Sequence, residues 1–556
     1  MSGMDGVDVH ELEGPTRCSR SLLWRLQRAS YEAQGPLAWR PGGVPLQVTS
    51  NPFIARAYAA IIAGLVRDLR ATGALTRPLR VVELGAGSGR FGYYLLRALD
   101  DAFARDGESP CRVIMTDVAE RNVAAWRAHP KLAPYLARGV CDVARFDVEA
   151  PAATTLRVSG EALDADDAGE PLVAIANYVL DSVAVDAYRV EAGGLRERLV
   201  ALAAPVPPEL ALLDPATTIE AMTWRLVDGA RVDAADPEDA DAAARAATAA
   251  AAVDGTTVLW PVAAAATLAW LARAGGGRLL VLASDKGHRE PALRGARDDL
   301  ALVRHGGCVS LPVDFDALAR IVEARGGFAL PATQRHDGFY SGVLGVGLDA
   351  RALPRCQAAV DDMERFGPGD YQRLVDHAAV AAEGAAPSIE RVLTLLRLGS
   401  FDPRLLARFA DELSAALRGR RPDWLDRDLA DALDRARDLH YPVPGRRDGL
   451  LVVIGTLLFQ LGEPARAVVA LEQALDGSEA DAATHVKLAL CWARLERAEE
   501  ARAAVARALA IAPAMPEAQR LAIWLAGGVP DDVRDDRDAR AQANDRAGKA
   551  DRDRNG

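Results

Sequence analysis

Val81–Gly92 reads VVELGAGSGRFG: a short apolar run, Glu83, three glycines at 85, 87 and 89, and the first residues of a helix, RFGYYLLRALDDAFA from Arg90. A strand that runs into a glycine turn brings its peptide groups close to a ligand where no Cβ intrudes. A helix starting at once adds N–H groups that have no partner inside the helix. The segment therefore predicts a strand, a ligand-facing turn at Gly85, Gly87 and Gly89, and a helix, which is the opening unit of an α/β domain. The nicotinamide-dinucleotide fingerprint G-x-G-x-x-G would need a glycine at position 90, where this chain has Arg90.

Downstream the same alternation continues. CRVIMTD (111–117) predicts the second strand and VAERNVAAWRAH its helix; GVCDVARFD (139–147), PLVAIAN (171–177) and GRLLVLAS (277–284) predict the third, fourth and fifth. FDALARIVEARGG adds a helix, and FALPAT and SGVLGVGL (341–348) two further strands. The expected fold class is α/β, a mixed or mainly parallel sheet with helices on both faces. Upstream, the first 79 residues read as helical. Asn51 is placed to cap a long helix, Pro52 to begin it, and Ile54, Tyr58, Ile61, Ile62, Leu65 and Leu69 form its apolar stripe. The stretch between the fourth and fifth strands far exceeds what a crossover needs. Residues 190–270 are accordingly expected to form an insertion that caps a pocket, including a solvated acidic loop that runs into an exposed alanine-rich helix.

Carboxylates follow the strands. Asp117 ends the second, Asp147 follows the third with Asp142 as the alternative register, and ANYVLDS carries Asn177 and Asp181 after the fourth. Each also has a plain reading: Asp117 as a helix cap, Asp147 and Asp142 as solvated loop positions, and Asn177 and Asp181 as a cap and a surface-loop residue. The series resembles class I S-adenosylmethionine-dependent methyltransferases, with Glu83 to Gly89 as motif I. The resemblance implies a cofactor shell of Glu83, Gly85, Gly87, Gly89, Asp117 and Asp142 or Asp147, with Asp117 on the ribose hydroxyls. It also places Asn177 and Asp181 at the methyl-transfer site. IANYVLDSVAVDAY further resembles enzymes related to the mitochondrial complex I assembly methyltransferase, an arginine methyltransferase, and its bacterial counterparts. Residues 45–350 carry the resemblance. It implies S-adenosylmethionine as cofactor and a protein acceptor, arginine foremost, with Asp181 orienting a cationic group. A small-molecule acceptor and a non-catalytic cofactor-binding scaffold are the alternatives. His288 and His305 follow the fifth strand and are candidate bases for a less basic acceptor.

Composition bounds these readings. The 556 residues are 50% hydrophobic and 26% charged, which is globular and too long for one core. A net charge of −12 disfavours a non-specific nucleic-acid surface. Cys18, Cys111, Cys141, Cys308, Cys356 and Cys491 form no CxxC pair and read as buried small hydrophobes, and the histidines form no metal-ligand motif, so no metal is expected. The acidic amino-terminal stretch lacks secretory-signal features, and the longest apolar run, 258–274, reads as a buried helix. The expectation is a cytoplasmic protein without a membrane span.

Beyond residue 354 the pattern is helical. Residues 355–445 read as a linking helical domain. Residues 446–525 read as two tetratricopeptide-like repeats and a capping helix. An offset of 34 residues aligns Gly455 with Ala489, Ala467 with Ala501, Leu471 with Val505 and Ala474 with Ala508. Such repeats suit a protein partner or substrate. Residues 526–556 mix charges with little to bury and read as disordered. The methyltransferase region is thus expected at 80–354.

Overall fold

The computed structural model describes residues 9–39, 48–107, 109–165, 169–191, 194–232, 241–291, 302–331, 333–336, 338–382, 386–419, 422–443, 449–476 and 481–527. The expected disordered tail, from 528 on, and most of the expected acidic loop, 233–240, lie outside them. The chain divides into two compact units: residues 1–378 with 443–446, and 379–442 with 447–556.

In the first unit, seven strands form the central sheet: β1 (Leu79–Leu84), β2 (Cys111–Asp117), β3 (Cys141–Arg145), β4 (Leu172–Asn177), β5 (Leu279–Asp285), β6 (Phe328–Leu330) and β7 (Tyr340–Val346). Their order across the sheet is β6-β7-β5-β4-β1-β2-β3. Strands β1 to β5 pair in parallel, and β7 runs antiparallel to both β5 and β6. The α/β class read from the sequence is the class observed. Val81, Val113, Ile114, Val143, Val173, Ile175 and Val281 have no exposed surface, as expected for strands covered on both faces. The order reverses between β1 and β4, the place where open α/β sheets leave a crevice at the strand carboxyl ends.

Three helices frame that crevice: α1 (Leu22–Gln34), α2 (Pro52–Ala71) and α3 (Arg90–Ala102). The Asn51 side chain accepts the Ile54 N–H at 3.0 Å and caps α2, and the predicted apolar stripe is buried. Asp68, on the same helix, accepts the N–H groups of Arg355 at 2.9 Å and Cys356 at 3.0 Å. The helix Pro354–Arg365 therefore packs on α2, and the first unit extends past the expected boundary at 354.

Two expectations are corrected. The amino-terminal region is not all helix: His10–Arg17 is a strand of a second sheet, with Asp186–Glu191, Gly194–Ala204, Thr223–Val232 and Thr257–Trp260. Arg17 Nε anchors it to Asp186 Oδ2 at 2.8 Å. The segment 190–270 therefore contributes most of the strands of that sheet, with helices between them. It ends in the helix Val262–Ala274, which packs on β4 and β5 and is buried as predicted. The alanine-rich helix Ala242–Ala251 is not wholly exposed, because Ala242, Ala244, Arg245 and Thr248 are buried.

The second unit is helical among its described residues. Leu450–Gln460, Pro464–Asp476, Ala482–Arg494 and Ala498–Ile511 form two helix–turn–helix units, followed by Pro516–Leu525. Ala467, Ala489 and Ala501 are fully buried, and a Cβ on Gly455 would stand 2.7 Å from Leu471 Cγ. Small residues thus sit where the helices meet. All six cysteines are free and buried. No helix among the described residues is long and apolar enough to cross a membrane.

Candidate functional site

The glycine turn adopts the backbone its residues permit. Gly85, Gly87 and Gly89 all have positive φ, at 61°, 57° and 80°, where a side chain is strained. Space is as restrictive as conformation: a Cβ on Gly85 would lie 3.0 Å from Val179 Cγ2, and one on Gly87 2.5 Å from the Trp39 ring. Gly89 is the N-cap of α3 and supplies no side-chain cap. Glu83 ends β1 beneath the turn. Its Oε2 is buried without a hydrogen-bond partner, and burial together with the Asp117 charge pushes its pKa up to about 8. A Cβ on Gly92 would be 2.7 Å from that oxygen, so the second helical glycine makes room for the carboxyl.

Asp117, at the end of β2, accepts the Gly87 N–H at 3.0 Å and the Ala119 N–H at 2.9 Å. Burial raises its pKa while these two N–H groups oppose the shift. Asp147 lines the same cleft and accepts the Glu149 N–H at 2.9 Å. Asp142 does not line it: fully buried within β3, it binds Arg112 at 2.6 Å and the N–H groups of Val143, Val158 and Ser159. Burial works against its charge, but those partners hold its pKa below the ordinary value. Neither the cofactor role nor a solvated loop position fits Asp142, which is a buried structural carboxylate of β3.

Asn177 ends β4 across the crevice. It accepts the Tyr58 hydroxyl at 3.0 Å and donates to the Thr49 carbonyl at 3.3 Å. Tyr58 also meets Ser284 at 2.7 Å, so α2, β4 and β5 are tied together at the cleft edge. Tyr178 follows with φ 48°, a left-handed conformation uncommon for a bulky residue. The bend turns the chain so that Tyr178 and Ser182 line both the main cleft and a smaller side chamber. Asp181 lines only the chamber, with Lys286, His305 and Ser310. Its Oδ1 accepts the Ser182 hydroxyl at 2.7 Å, and burial raises its pKa to about 6. His305 Nε2 lies 2.9 Å from Lys286 Nζ, and burial, then the lysine charge, lowers its pKa. His288 lines neither space.

The sequence reading missed the roof. Gln27, Arg28 and Tyr31 of α1 and Trp39 just beyond it cover the cleft, and Tyr31 reaches the chamber as well. Tyr31 and Trp39 stack with centroids 6.0 Å apart, and Arg28 forms an ion pair with Glu149. Gln27 exchanges hydrogen bonds with the Val309 backbone, at 2.7 Å to its carbonyl and 2.8 Å from its N–H. No described residue of the 190–270 segment lines the cleft. The available signal was polar: Gln27 and Ser30 share the buried face of a helix read as merely amphipathic. Asp285 was missed too, although its Oδ2 accepts the N–H groups of Leu180 at 2.9 Å and Asp181 at 3.2 Å. About 970 Å³ of space lies within the cleft when the open solvent at its mouth is included.

Residues 61–332 match a family model described as "Putative S-adenosyl-L-methionine-dependent methyltransferase". The matched region, just under half of the chain, is similar to enzymes that use S-adenosylmethionine as methyl donor. Among solved structures the chain is similar to a protein from Burkholderia thailandensis, titled a "likely methyl transferase" and bound to S-adenosyl-homocysteine. The two are 20% identical, the similarity covers 60% of this chain and 88% of that one, and the TM-score is 0.37. It is also similar to a thermophilic tetratricopeptide-repeat protein of Thermus thermophilus, at 20% identity over 31% of this chain and 88% of that one, with a TM-score of 0.21. No curated protein matches it. Among the described residues no three His, Cys, Asp or Glu side chains are grouped to hold a metal ion.

Proposed function

We propose that the cleft at the β1/β4 crevice takes S-adenosylmethionine and that the methyl group goes to a protein side-chain nitrogen, arginine foremost. The orphaned Glu83 oxygen and a turn in which Cβ atoms do not fit support the first part. Gly85 and Gly87 would give the cofactor close backbone contact, with Glu83, Asp117 and Asp147 around it, while Gly89 lies outside the cleft lining and starts α3. When bound, S-adenosylmethionine supplies an electrophilic sulfonium methyl. The protein's work is then to position the acceptor and keep water out.

The observation that carries the acceptor assignment is the side chamber. It joins the cleft through Tyr31, Tyr178 and Ser182, is too narrow for a bulky ligand, and has the buried Asp181 carboxyl in its wall. As it stands the chamber has room for about one water-sized group beside Asp181, so an acceptor side chain would meet that carboxyl with its tip only. A carboxylate there orients a guanidinium and stabilises charge as the methyl arrives. Asn177, held by Tyr58 and Thr49, fixes the cleft edge beside it. The helical repeats of the second unit are the proposed partner-recruiting surface. Incubating the protein with cell extract and methyl-labelled S-adenosylmethionine tests the reading. Label is expected in the protein fraction, and label confined to small molecules contradicts a protein acceptor.

A further inference from the structure

We propose that Ser182 relays the acceptor's proton to an Asp181–Asp285 acid pair, an inference that rests on the methyl-transfer reading above. Transfer to an N–H nitrogen leaves one proton to be removed. A nitrogen–carbon bond forms and the sulfur–carbon bond breaks, its electron pair staying on sulfur, so the nitrogen's proton needs an acceptor within the site. Ser182 is placed for this. It lines the main cleft and the chamber, and its hydroxyl donates to Asp181 Oδ1 at 2.7 Å. A proton from the acceptor can pass to Ser182 Oγ while the serine's own proton passes to Asp181.

Asp181 does not act alone. Asp285, at the carboxyl end of β5, has no exposed surface and holds the backbone of the 180–181 turn through its Oδ2 and the Lys286 N–H through its Oδ1 at 2.8 Å. The two carboxyls are close neighbours in a dry wall, and like charges so placed cannot both ionise readily. Burial and the mutual repulsion raise Asp285 well above the ordinary value. A pair so placed can share one proton and take up a second. Lys286 and His305 face it from the β5 end and the following loop, Tyr31 and Cys308 from the roof side, and Tyr178 from the turn. The Lys286 charge favours the ionised form of Asp181, and burial, then the lysine charge, lowers the pKa of the His305 ring 2.9 Å from Lys286 Nζ.

Asp285 supports three backbone N–H groups and is left unaltered in the test. Ser182→Ala is compared with Ser182→Thr, which restores a hydroxyl, in the full chain. Methyl incorporation into extract protein should fall about 10- to 100-fold in the alanine variant and recover in the threonine variant, with S-adenosylhomocysteine affinity within twofold throughout. A second readout needs no turnover: carbon-13 NMR of labelled aspartate carboxyls. Because the serine hydroxyl holds Asp181 down, its titration near pH 6 should move upward in Ser182→Ala, and the acid limb of the rate profile with it. Wild-type rates in Ser182→Ala, or an Asp181 titration that stays in place, overturn the relay while leaving the transfer reading standing. A wild-type protein that binds S-adenosylhomocysteine yet labels nothing overturns both.

Discussion

The indole of Trp39 rests on Gly87, so closely that a Cβ on the glycine would stand 2.5 Å from its Cζ2. Conformation and space thus make the same demand, because Gly87 also has φ 57°. Gly87→Val should reduce S-adenosylhomocysteine affinity at least 100-fold, about 2.7 kcal/mol, by closing the turn and displacing the indole. Calorimetry checks the affinity, and circular dichroism checks that the fold persists.

The roof is held at a second point by the Arg28–Glu149 ion pair, with Glu149 also accepting the Ala184 N–H at 2.9 Å. Glu149→Gln keeps the shape but removes the charge that anchors α1. The expected result is faster amide exchange through Leu22–Gln34 and about tenfold weaker cofactor binding, roughly 1.4 kcal/mol.

Glu83 gives a pH dependence. Its folded pKa, about 8, lies above the unfolded carboxylate value near 4.3. Between those values the folded protein keeps a proton that the unfolded chain has released, so this residue makes stability fall as pH rises through that window. Glu83→Gln should flatten the decline of Tm from about pH 5 to 8, with a gain on the order of 1–3 kcal/mol near pH 7 and little near pH 4. An unchanged slope would mean that Glu83 is ionised in the fold.

In the second unit, Gly455 faces Leu471 Cγ at 2.7 Å from a hypothetical Cβ. Gly455→Val should destabilise this unit by about 1–3 kcal/mol through overpacking. Cofactor affinity should be unchanged, and separate calorimetric melting transitions would resolve the two effects.

These relationships were unequally legible in the sequence. Strand, turn and helix at Val81–Gly92 announce themselves because glycine's backbone freedom and β-branched runs are local properties. Asp117, Asn177 and Asp181 follow from their order after strands, and Asp117, Asp147 and Asn177 do line one cleft. Asp142 shows the limit: the strand bounds, Cys141–Arg145, put it near the amino end, against Arg112, and leave Asp147 at the carboxyl end where the cleft lies. The roof escaped because Trp39, on which Tyr31 stacks, meets Gly87 from a distant part of the chain, a contact that periodicity does not encode. Strand His10–Arg17 escaped as well. HELEGPTR has no apolar alternation, and its pairing with Leu199–Ala204 is interrupted by register shifts. The segment 190–270 was expected over the pocket from its length and its place at the carboxyl edge of the sheet, whereas its strands join His10–Arg17 and Asp186–Glu191 in a second sheet.

The most direct test of the account is calorimetric titration of the full chain with S-adenosylhomocysteine, which needs no knowledge of the acceptor. One site per chain is predicted, lost in Gly87→Val and retained in Asp181→Asn, because Asp181 lies in the chamber wall and not in the cleft. A folded protein that does not bind S-adenosylhomocysteine, or that binds a nicotinamide dinucleotide in its place, would contradict it.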